Sequence, residues 1–231
     1  IQLRLEDTRA FKELEASKSA EPVEKRQIKS SPILEALRRY PGRISLAAGA
    51  FLSIQVTFYI LVAFILAYGV QTTELSRNDI LMAVLIGSAI MVPMQFVFSD
   101  YSDKNGRKGI FMTGAILTGV WAFALFPLID TGSFYLVILG VSGGLMFLGM
   151  MYGPQAAFFA ELFSTDVRYS GASLGYQIGA IIGGSFAPTI ATLLWKNYDI
   201  FWVSVYIAFA SLASLLSVYF LTETYQKDLN E

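Results

Sequence analysis

The chain has 231 residues, of which 55% are hydrophobic and 15% are charged, and its mean hydropathy is +0.54. A soluble protein of this size needs more polar side chains to cover its surface, so the composition indicates a membrane protein. The net charge of −1 argues against nucleic-acid binding, because the sequence has no sustained basic face outside its N-terminal segment. The chain has no cysteine and no histidine, which excludes disulfides, thiolate metal sites and the commonest general base. We therefore expect no metal, no cofactor and no enzymatic activity.

The first 43 residues hold 17 of the 35 charged side chains, which predicts a polar segment ahead of the membrane domain. Residues 5–16 have the pattern of an amphipathic helix, and a flexible polar linker follows them. Ser31 is a typical N-cap and Pro32 a typical first helical residue. We predict that a short helix begins here, ends at Pro41 and lies on the cytoplasmic surface, within a central loop formed by residues 1–43.

Six apolar segments follow, each long enough to cross a hydrocarbon core of roughly 30 Å. Barrel strands would alternate polar and apolar side chains, and these segments do not, so we predict transmembrane helices. Their connections are short, which makes neighbouring helices antiparallel. Residues 44–222 are thus predicted to form an all-α, six-helix membrane domain, and residues 223–231 a cytoplasmic tail. The predicted spans are 44–70, 80–98, 109–129, 134–160, 171–195 and 200–221.

The distribution of Lys and Arg predicts the orientation of these helices. With six spans, both ends of the chain lie on the same side of the membrane. Fifteen of the seventeen Lys and Arg residues fall on that side, and only Arg77 and Lys196 fall on the other. The positive-inside rule therefore predicts that both termini are cytoplasmic.

The stretch 99–108, SDYSDKNGRK, places five charges between the second and third predicted spans. Taken alone, it is compatible with an ordinary solvated loop that turns at an Asn-Gly pair. Its order resembles the loop signature of the major facilitator superfamily, Gly-x-x-x-Asp-x-x-Gly-Arg-Lys/Arg. Ser99 replaces the leading glycine of that signature. The matching positions are Asp103, Gly106, Arg107 and Lys108.

A second motif, ELFSTDVRYSG at 161–171, resembles the helix 10–11 region of the metabolite:proton symporter branch of that superfamily. Ser164 stands where this branch usually has proline. The resemblance covers the whole chain as the C-terminal half, helices 7 to 12, and implies six helices of a major facilitator bundle. A weak similarity between LEDT at 5–8 and LTET at 221–224 is consistent with a duplicated protein of which this chain is the second half.

The resemblance implies a cytoplasmic gate made of charge pairs and helix-end contacts that hold the outward-facing state. Asp103 is expected to lie against the N-terminus of a helix from the other half. Glu161 and Arg168 are expected to pair with Arg107 or with the matching signature of that half. The alternative is that these charges only determine topology. The predicted gate residues are Asp100, Asp103, Gly106, Arg107, Lys108, Glu161 and Arg168.

Glycine recurs at every fourth residue of the fifth span, which predicts a smooth ridge on one helix face. Such a ridge lets another backbone approach closely. It can serve static packing, or it can serve as a sliding surface during a conformational change. The glycines are Gly171, Gly175, Gly179 and Gly183.

The resemblance also implies that helices 1, 4, 7 and 10 of the whole bundle line a central cavity. On the seventh, Gln55 and Tyr59 are one helical turn apart near mid-membrane. Polar groups at that depth contact water, substrate or another helix, so interhelical hydrogen bonds remain an alternative. The candidates for contact with substrate are Gln55, Thr57, Tyr59, Tyr152 and Gln155.

The middle of each predicted span lacks ionisable residues, although proton coupling requires a titratable group within the membrane. The resemblance implies proton-coupled symport of a small polar metabolite, an organic acid, by alternating access across a bacterial inner membrane. Substrate, protons, the lipid bilayer and an N-terminal six-helix half would be the partners, and that half would supply the coupling group. The alternatives are a zwitterionic osmolyte such as betaine or proline, or a self-sufficient six-span channel or receptor.

Overall fold

The computed structural model describes residues 31–224, so the predicted helix at 5–16 and the tail at 225–231 lie outside the described residues. Within that range a short helix, Pro32–Arg39, precedes six long helical spans, and no strand occurs. The first and fifth spans each contain a π-helical segment. The spans are Pro41–Tyr59 with Ile60–Phe64 (π) and Ile65–Thr72; Arg77–Asn105; Arg107–Asp130; Phe134–Glu161; Arg168–Ala180 with Ile181–Ser185 (π) and Ala187–Asn197; and Ile200–Phe220.

The six spans are 21 to 32 residues long and apolar enough to cross a membrane, which confirms the predicted all-α six-helix architecture. The first span packs against the fifth and the sixth, the second against the fourth, and the third against the fourth and the sixth. Large side chains fill the interior between them. The most completely buried aromatic ones are Phe51, Phe64, Phe111, Phe126, Phe158 and Phe159.

Because neighbouring spans are antiparallel, their connections alternate between two ends of the bundle. We call one the Gly106 end; it carries Gly106, the connection 162–167 and residues 221–224. The opposite end carries the connections 73–76, 131–133 and 198–199. All the predicted gate residues lie at the Gly106 end.

The second span extends through Asn105, so most of the stretch 99–108 is helical and not a loop. The ion pair of Asp100 with Lys104, one helical turn apart, supports this extension. Asp103 pairs with Arg107 across the break that follows. Gly106 then breaks the helix with φ +103° and ψ 151°, a conformation that side chains other than glycine rarely adopt. The third span begins at the next residue, so a single glycine connects the two spans.

The glycine ridge of the fifth span packs against the first span. A Cβ added to Gly175 would lie 2.7 Å from the Cβ of Ala47, and one added to Gly179 would lie 2.7 Å from the carbonyl oxygen of Ala48. Gly183 lies nearly as close to the first span, with an added Cβ at 3.1 Å from its nearest atoms. Side chains at these positions would therefore push the two helices apart.

The short helix ends at Arg39, and Pro41 begins the first span instead of ending the short helix. Proline is well suited to a first helical position because its missing N–H has no partner there. The helix and the start of the first span are attached to the connection 162–167. Arg39 pairs with Asp166 at 2.8 Å, and Tyr40 lies 3.1 Å from the hydroxyl of Ser164.

Candidate functional site

Arg107 is the centre of a charge cluster at the Gly106 end. Its guanidinium donates to both carboxylate oxygens of Glu161, with N–O distances of 3.0 and 3.4 Å. It also pairs with Asp103 one turn earlier and donates to the hydroxyl of Ser102 at 2.9 Å. Only 11% of the Arg107 side chain and 21% of the Glu161 side chain are exposed. The cluster therefore links the second, third and fourth spans through a charge that is largely removed from water.

Glu223 and Lys108 hold the ends of two helices together. Glu223 follows the sixth span and accepts hydrogen bonds from the backbone N–H groups of Arg107 and Lys108, at 3.1 and 3.0 Å. These are the first N–H groups of the third span, where a carboxylate interacts favourably with the helix dipole. In return, the Lys108 ammonium donates to the carbonyl oxygens of Tyr219 and Leu221 at the end of the sixth span, at 2.9 and 2.6 Å. Glu223, which follows the sixth span, thus caps the positive N-terminus of the third span, and Lys108 of the third span caps the negative C-terminus of the sixth.

Thr224 adds a further contact to this cluster, since its buried hydroxyl donates to Glu161. Glu161 is therefore shared between Arg107 and the segment that follows the sixth span. Neither Thr224 nor Glu223 was among the predicted gate residues. The signal in the sequence was the stretch LTET at 221–224, which contains both residues and which the sequence analysis related only to a duplication.

Two predicted gate residues lie apart from the cluster. Asp100 forms an exposed pair with Lys104, at 2.6 Å, on the outer face of the second span. Arg168 contacts only the carbonyl oxygen of Phe163, through Nε at 3.4 Å, and has no carboxylate partner within residues 31–224. Asp103, with 54% of its side chain exposed, also faces outward from the bundle beyond its contact with Arg107.

Hydrogen bonds and an ion pair also stabilise the connection 162–167, which lies beside the cluster. Burial alone would raise the pKa of Asp166, but hydrogen bonds from Ser164 and from the backbone, together with the charge of Arg39, lower this pKa below its ordinary value of 3.8. Ser164, which replaces the usual proline, contributes one of these hydrogen bonds. Phe163 in the same connection packs against Gly171, where an added Cβ would lie 2.5 Å from the ring.

A cavity of about 780 Å³ opens between the fourth and fifth spans at this end. The predicted candidates Tyr152 and Gln155 line it from the fourth span. The fifth span, which the resemblance had not assigned to the cavity, also contributes polar side chains to its lining. They are Arg168, Tyr169, Ser170, Ser173, Tyr176 and Gln177. The signal in the sequence was this set of polar residues within a glycine-rich span.

The other three candidates on the first span lie outside the lining of this cavity. Thr57 is buried, with 3% exposure, and its hydroxyl has no hydrogen-bond partner among the described residues. Gln55 packs beside Gly183, and Tyr59 packs against Gly184. Tyr152 and Gln155 therefore share this cavity, and the candidates on the first span are not part of its lining.

The sequence profile of the Major Facilitator Superfamily matches this chain over residues 5–174 and 46–231. The chain is 31% identical over 221 residues to the inner membrane metabolite transport protein YhjE of Escherichia coli (strain K12), covering 86% of this chain and 50% of that protein. It is 30% identical over 202 residues to the shikimate transporter of the same organism, covering 85% and 45%. It is also 29% identical over 185 residues to the glycine betaine/proline/ectoine/pipecolic acid transporter OusA of Dickeya dadantii (strain 3937), covering 78% and 36%.

A similar fold occurs in the solved structure of the proton:xylose symporter XylE bound to 6-bromo-6-deoxy-D-glucose. The TM-score is 0.61 at 20% identity, and the match covers 85% of this chain and 45% of that one. The chain spans about half the length of the curated relatives it matches, and those relatives are named as transporters, not as enzymes. With six span-capable helices among its described residues, it is a multi-pass membrane protein. The chain belongs to the Major Facilitator Superfamily of membrane transporters.

Proposed function

We propose that this chain forms the C-terminal six-helix half of a proton-coupled symporter in a bacterial inner membrane. The transported molecule is a small polar metabolite, an organic acid, and an N-terminal half of similar size completes the pathway. The similarity to proteins named as metabolite and shikimate transporters supports this choice of substrate. The Arg107 cluster is the observation that carries the mechanism, because alternating access requires contacts at one face that can bias the bundle between two states.

The cluster suits such a gate in its strength and in its position. Exposed ion pairs contribute only about 0–1 kcal/mol each, whereas the largely buried pair of Arg107 and Glu161 is held more firmly. The inner part of the cluster thus keeps the third, fourth and sixth spans together as one body. Asp103 remains half exposed at its edge. There it can bind the positive N-terminus of a helix from the other half and release it when that half moves.

The cavity supports the binding of a small metabolite beside this gate. Its volume of about 780 Å³ lies within the usual range for small-molecule sites. The middle of each span of this chain has no Asp, Glu, Lys, Arg or His, so its contribution to binding at that depth consists of hydroxyl and amide groups, and Arg168 adds a cation to the lining of the cavity. The group that carries the proton would then belong to the N-terminal half.

An uptake experiment tests the proposed transport. Radiolabelled shikimate is added to membrane vesicles containing the full-length protein, with and without an imposed pH gradient. We expect gradient-dependent accumulation that a protonophore abolishes. Labelled glycine betaine tests the second candidate, which the similarity to OusA supports. Uptake of glycine betaine alone would exclude the organic acid, and uptake of either probe without dependence on the gradient would contradict proton coupling.

Accessibility of the cavity tests the gate. The chain has no cysteine, so Ser173→Cys places one reactive thiol in the cavity of this half. Asp103→Asn removes the charge at the edge of the cluster, and we expect labelling by an impermeant maleimide from the cytoplasmic face to rise by about two- to fivefold. Asp100→Asn is the matched control, because it removes one carboxylate from the same helix and its pair with Lys104 lies apart from Arg107. Equal labelling of the two variants would exclude the proposed role of Asp103.

A further inference from the structure

The wall of the cavity contains a patch of hydroxyl and amide side chains contributed by two spans. Tyr152 and Gln155 lie on the fourth span, and Tyr176 and Gln177 lie on the fifth. Both tyrosines line the same cavity. The two spans therefore meet in this cavity through polar groups, about two helical turns along the fifth span from Arg168, which also lines it.

The packing of the fifth span determines which way Tyr176 faces. Its neighbour Gly175 belongs to the ridge that packs on the first span, so the side chain of Tyr176 leaves the helix on a different face. The ring lies 4.3 Å from the ring of Phe51, measured between centroids. This contact holds the ring of a residue that lines the cavity, and a tyrosine held in this way is a rigid donor suited to contact a ligand.

The chemistry of the patch favours one class of group on the substrate. Tyrosine hydroxyls and glutamine amides both donate and accept hydrogen bonds, so they complement alcohols, which do the same. A carboxylate accepts only, and burying it without a cation is unfavourable. Of the two charged residues in the lining, Asp166 is paired with Arg39, and Arg168 lies about two helical turns from Tyr176 along the fifth span. The patch around Tyr176 is therefore suited to the hydroxyl groups of a substrate, whereas Arg168 is the cation of the lining that suits its carboxylate.

We infer that Tyr176 contacts the substrate and, together with Tyr152 and Gln155, hydrogen-bonds the hydroxyl groups of a hydroxylated organic acid. The inference rests on the proposed function and narrows it. Glycine betaine has no hydroxyl group and no hydrogen-bond donor, so it would leave the acceptor atoms of this patch without a donor. The fifth span thereby contributes to specificity as well as packing against the first.

Tyr176→Phe tests this inference, because it removes one hydroxyl and keeps the ring on Phe51. The probes are labelled shikimate, which carries hydroxyl groups, and cyclohex-1-ene-1-carboxylate, the same ring acid without them, used as a competitor in full-length protein. We expect the KM for shikimate to rise about three- to tenfold, as for the loss of one hydrogen bond, while the inhibition constant of the hydroxyl-free acid stays unchanged. Tyr206→Phe is the matched control, since Tyr206 is a partly buried tyrosine of the sixth span outside the cavity lining.

Each outcome of this experiment has one meaning. A purely structural role for the Tyr176 hydroxyl would change the affinity for both acids alike and would overturn the inference. A KM for shikimate that matches that of Tyr206→Phe would also overturn it while leaving the proposed function intact. Wild-type uptake of glycine betaine without uptake of shikimate would overturn both the inference and the proposed choice of substrate. If the hydroxyl-free acid fails to compete at concentrations far above the KM for shikimate, recognition through hydroxyl groups is supported.

Discussion

Gly106 is the residue on which the geometry of the charge cluster depends. Its φ of +103° ends the second span and starts the third within a single residue. The same turn exposes the first N–H groups of the third span to Glu223. An added Cβ at Gly106 would lie 3.1 Å from the nearer carboxylate oxygen of Glu223. Glycine is thus required here for its backbone conformation and for the close approach of the capping carboxylate.

Substitution of this glycine should therefore weaken the cluster. We expect Gly106→Ala to destabilise the protein by about 1–3 kcal/mol, because a side chain is strained in this conformation and displaces Glu223. Gly109→Ala is the matched control, because Gly109 lies in the first turn of the third span and an added Cβ there meets no atom within 4 Å. It should be neutral or stabilising by up to about 1 kcal/mol. Thermal unfolding midpoints in detergent measure both, and equal midpoints would show that Gly106 has no special role.

At the scale of helices and their connections, the contact between the first and fifth spans depends on the glycines of the fifth span, which leave one face of that helix without side chains. Gly175, Gly179 and Gly183 face the first span, and Gly179 has the least room for a side chain because its nearest neighbour there is a backbone carbonyl oxygen. Whether the ridge also slides during transport stays a prediction.

We expect Gly179→Ala to destabilise the bundle by about 1–3 kcal/mol, since the added methyl group would lie 2.7 Å from the carbonyl oxygen of Ala48 and would separate the two spans. Gly149→Ala provides the comparison on the fourth span, where the nearest atom to an added Cβ is 3.6 Å away. That change should stay within about 0.5 kcal/mol of wild type. Thermal unfolding in detergent distinguishes the two, and a tolerant Gly179 would indicate a loose contact.

The attachment of the short helix to the connection 162–167 should depend on pH. The pKa of Asp166 is lower in the folded state than its ordinary value of 3.8, so its contribution is complete above that value and is lost as pH falls through the lower, folded pKa. We expect hydrogen exchange of residues 32–39 to be about two- to fivefold slower in wild type than in Asp166→Asn near neutral pH. The ratio should approach one below the folded pKa. A ratio of one at all pH values would mean that Asp166 does not hold the helix.

At the scale of the whole molecule, the described part of the chain forms a bundle with a charged end and a cavity but without an ionisable group at mid-membrane depth. We therefore expect residues 1–231 alone, reconstituted in liposomes, to give no uptake of shikimate driven by a pH gradient. Restoring the N-terminal half should restore uptake. Proton-coupled uptake by residues 1–231 alone would refute the proposed division of labour between the halves.

The candidate site was only partly accessible from sequence. The signature at 99–108 pointed to Asp103 and Arg107, because a short charged motif between two apolar segments is visible in the sequence itself. Glu223 was missed, because its partners are backbone N–H groups more than one hundred residues away. Tyr176 was missed because the resemblance assigned the cavity to other helices. Thr57 was a candidate for contact with substrate, and its side chain is buried with 3% exposure.

The sequence by itself determined the number, order and type of the spans, because the length and hydrophobicity of a segment are local properties that the bilayer selects directly. It also determined the glycine periodicity and the family, since both lie in contiguous residues. Only the tertiary structure decided that Glu161 pairs with Arg107, that Glu223 caps the third span and that Tyr176 lines the cavity. A sequence specifies the faces of a helix relative to its own axis. The rotation of that helix within the bundle depends on packing against all its neighbours, so contacts between distant residues follow only from the assembled fold.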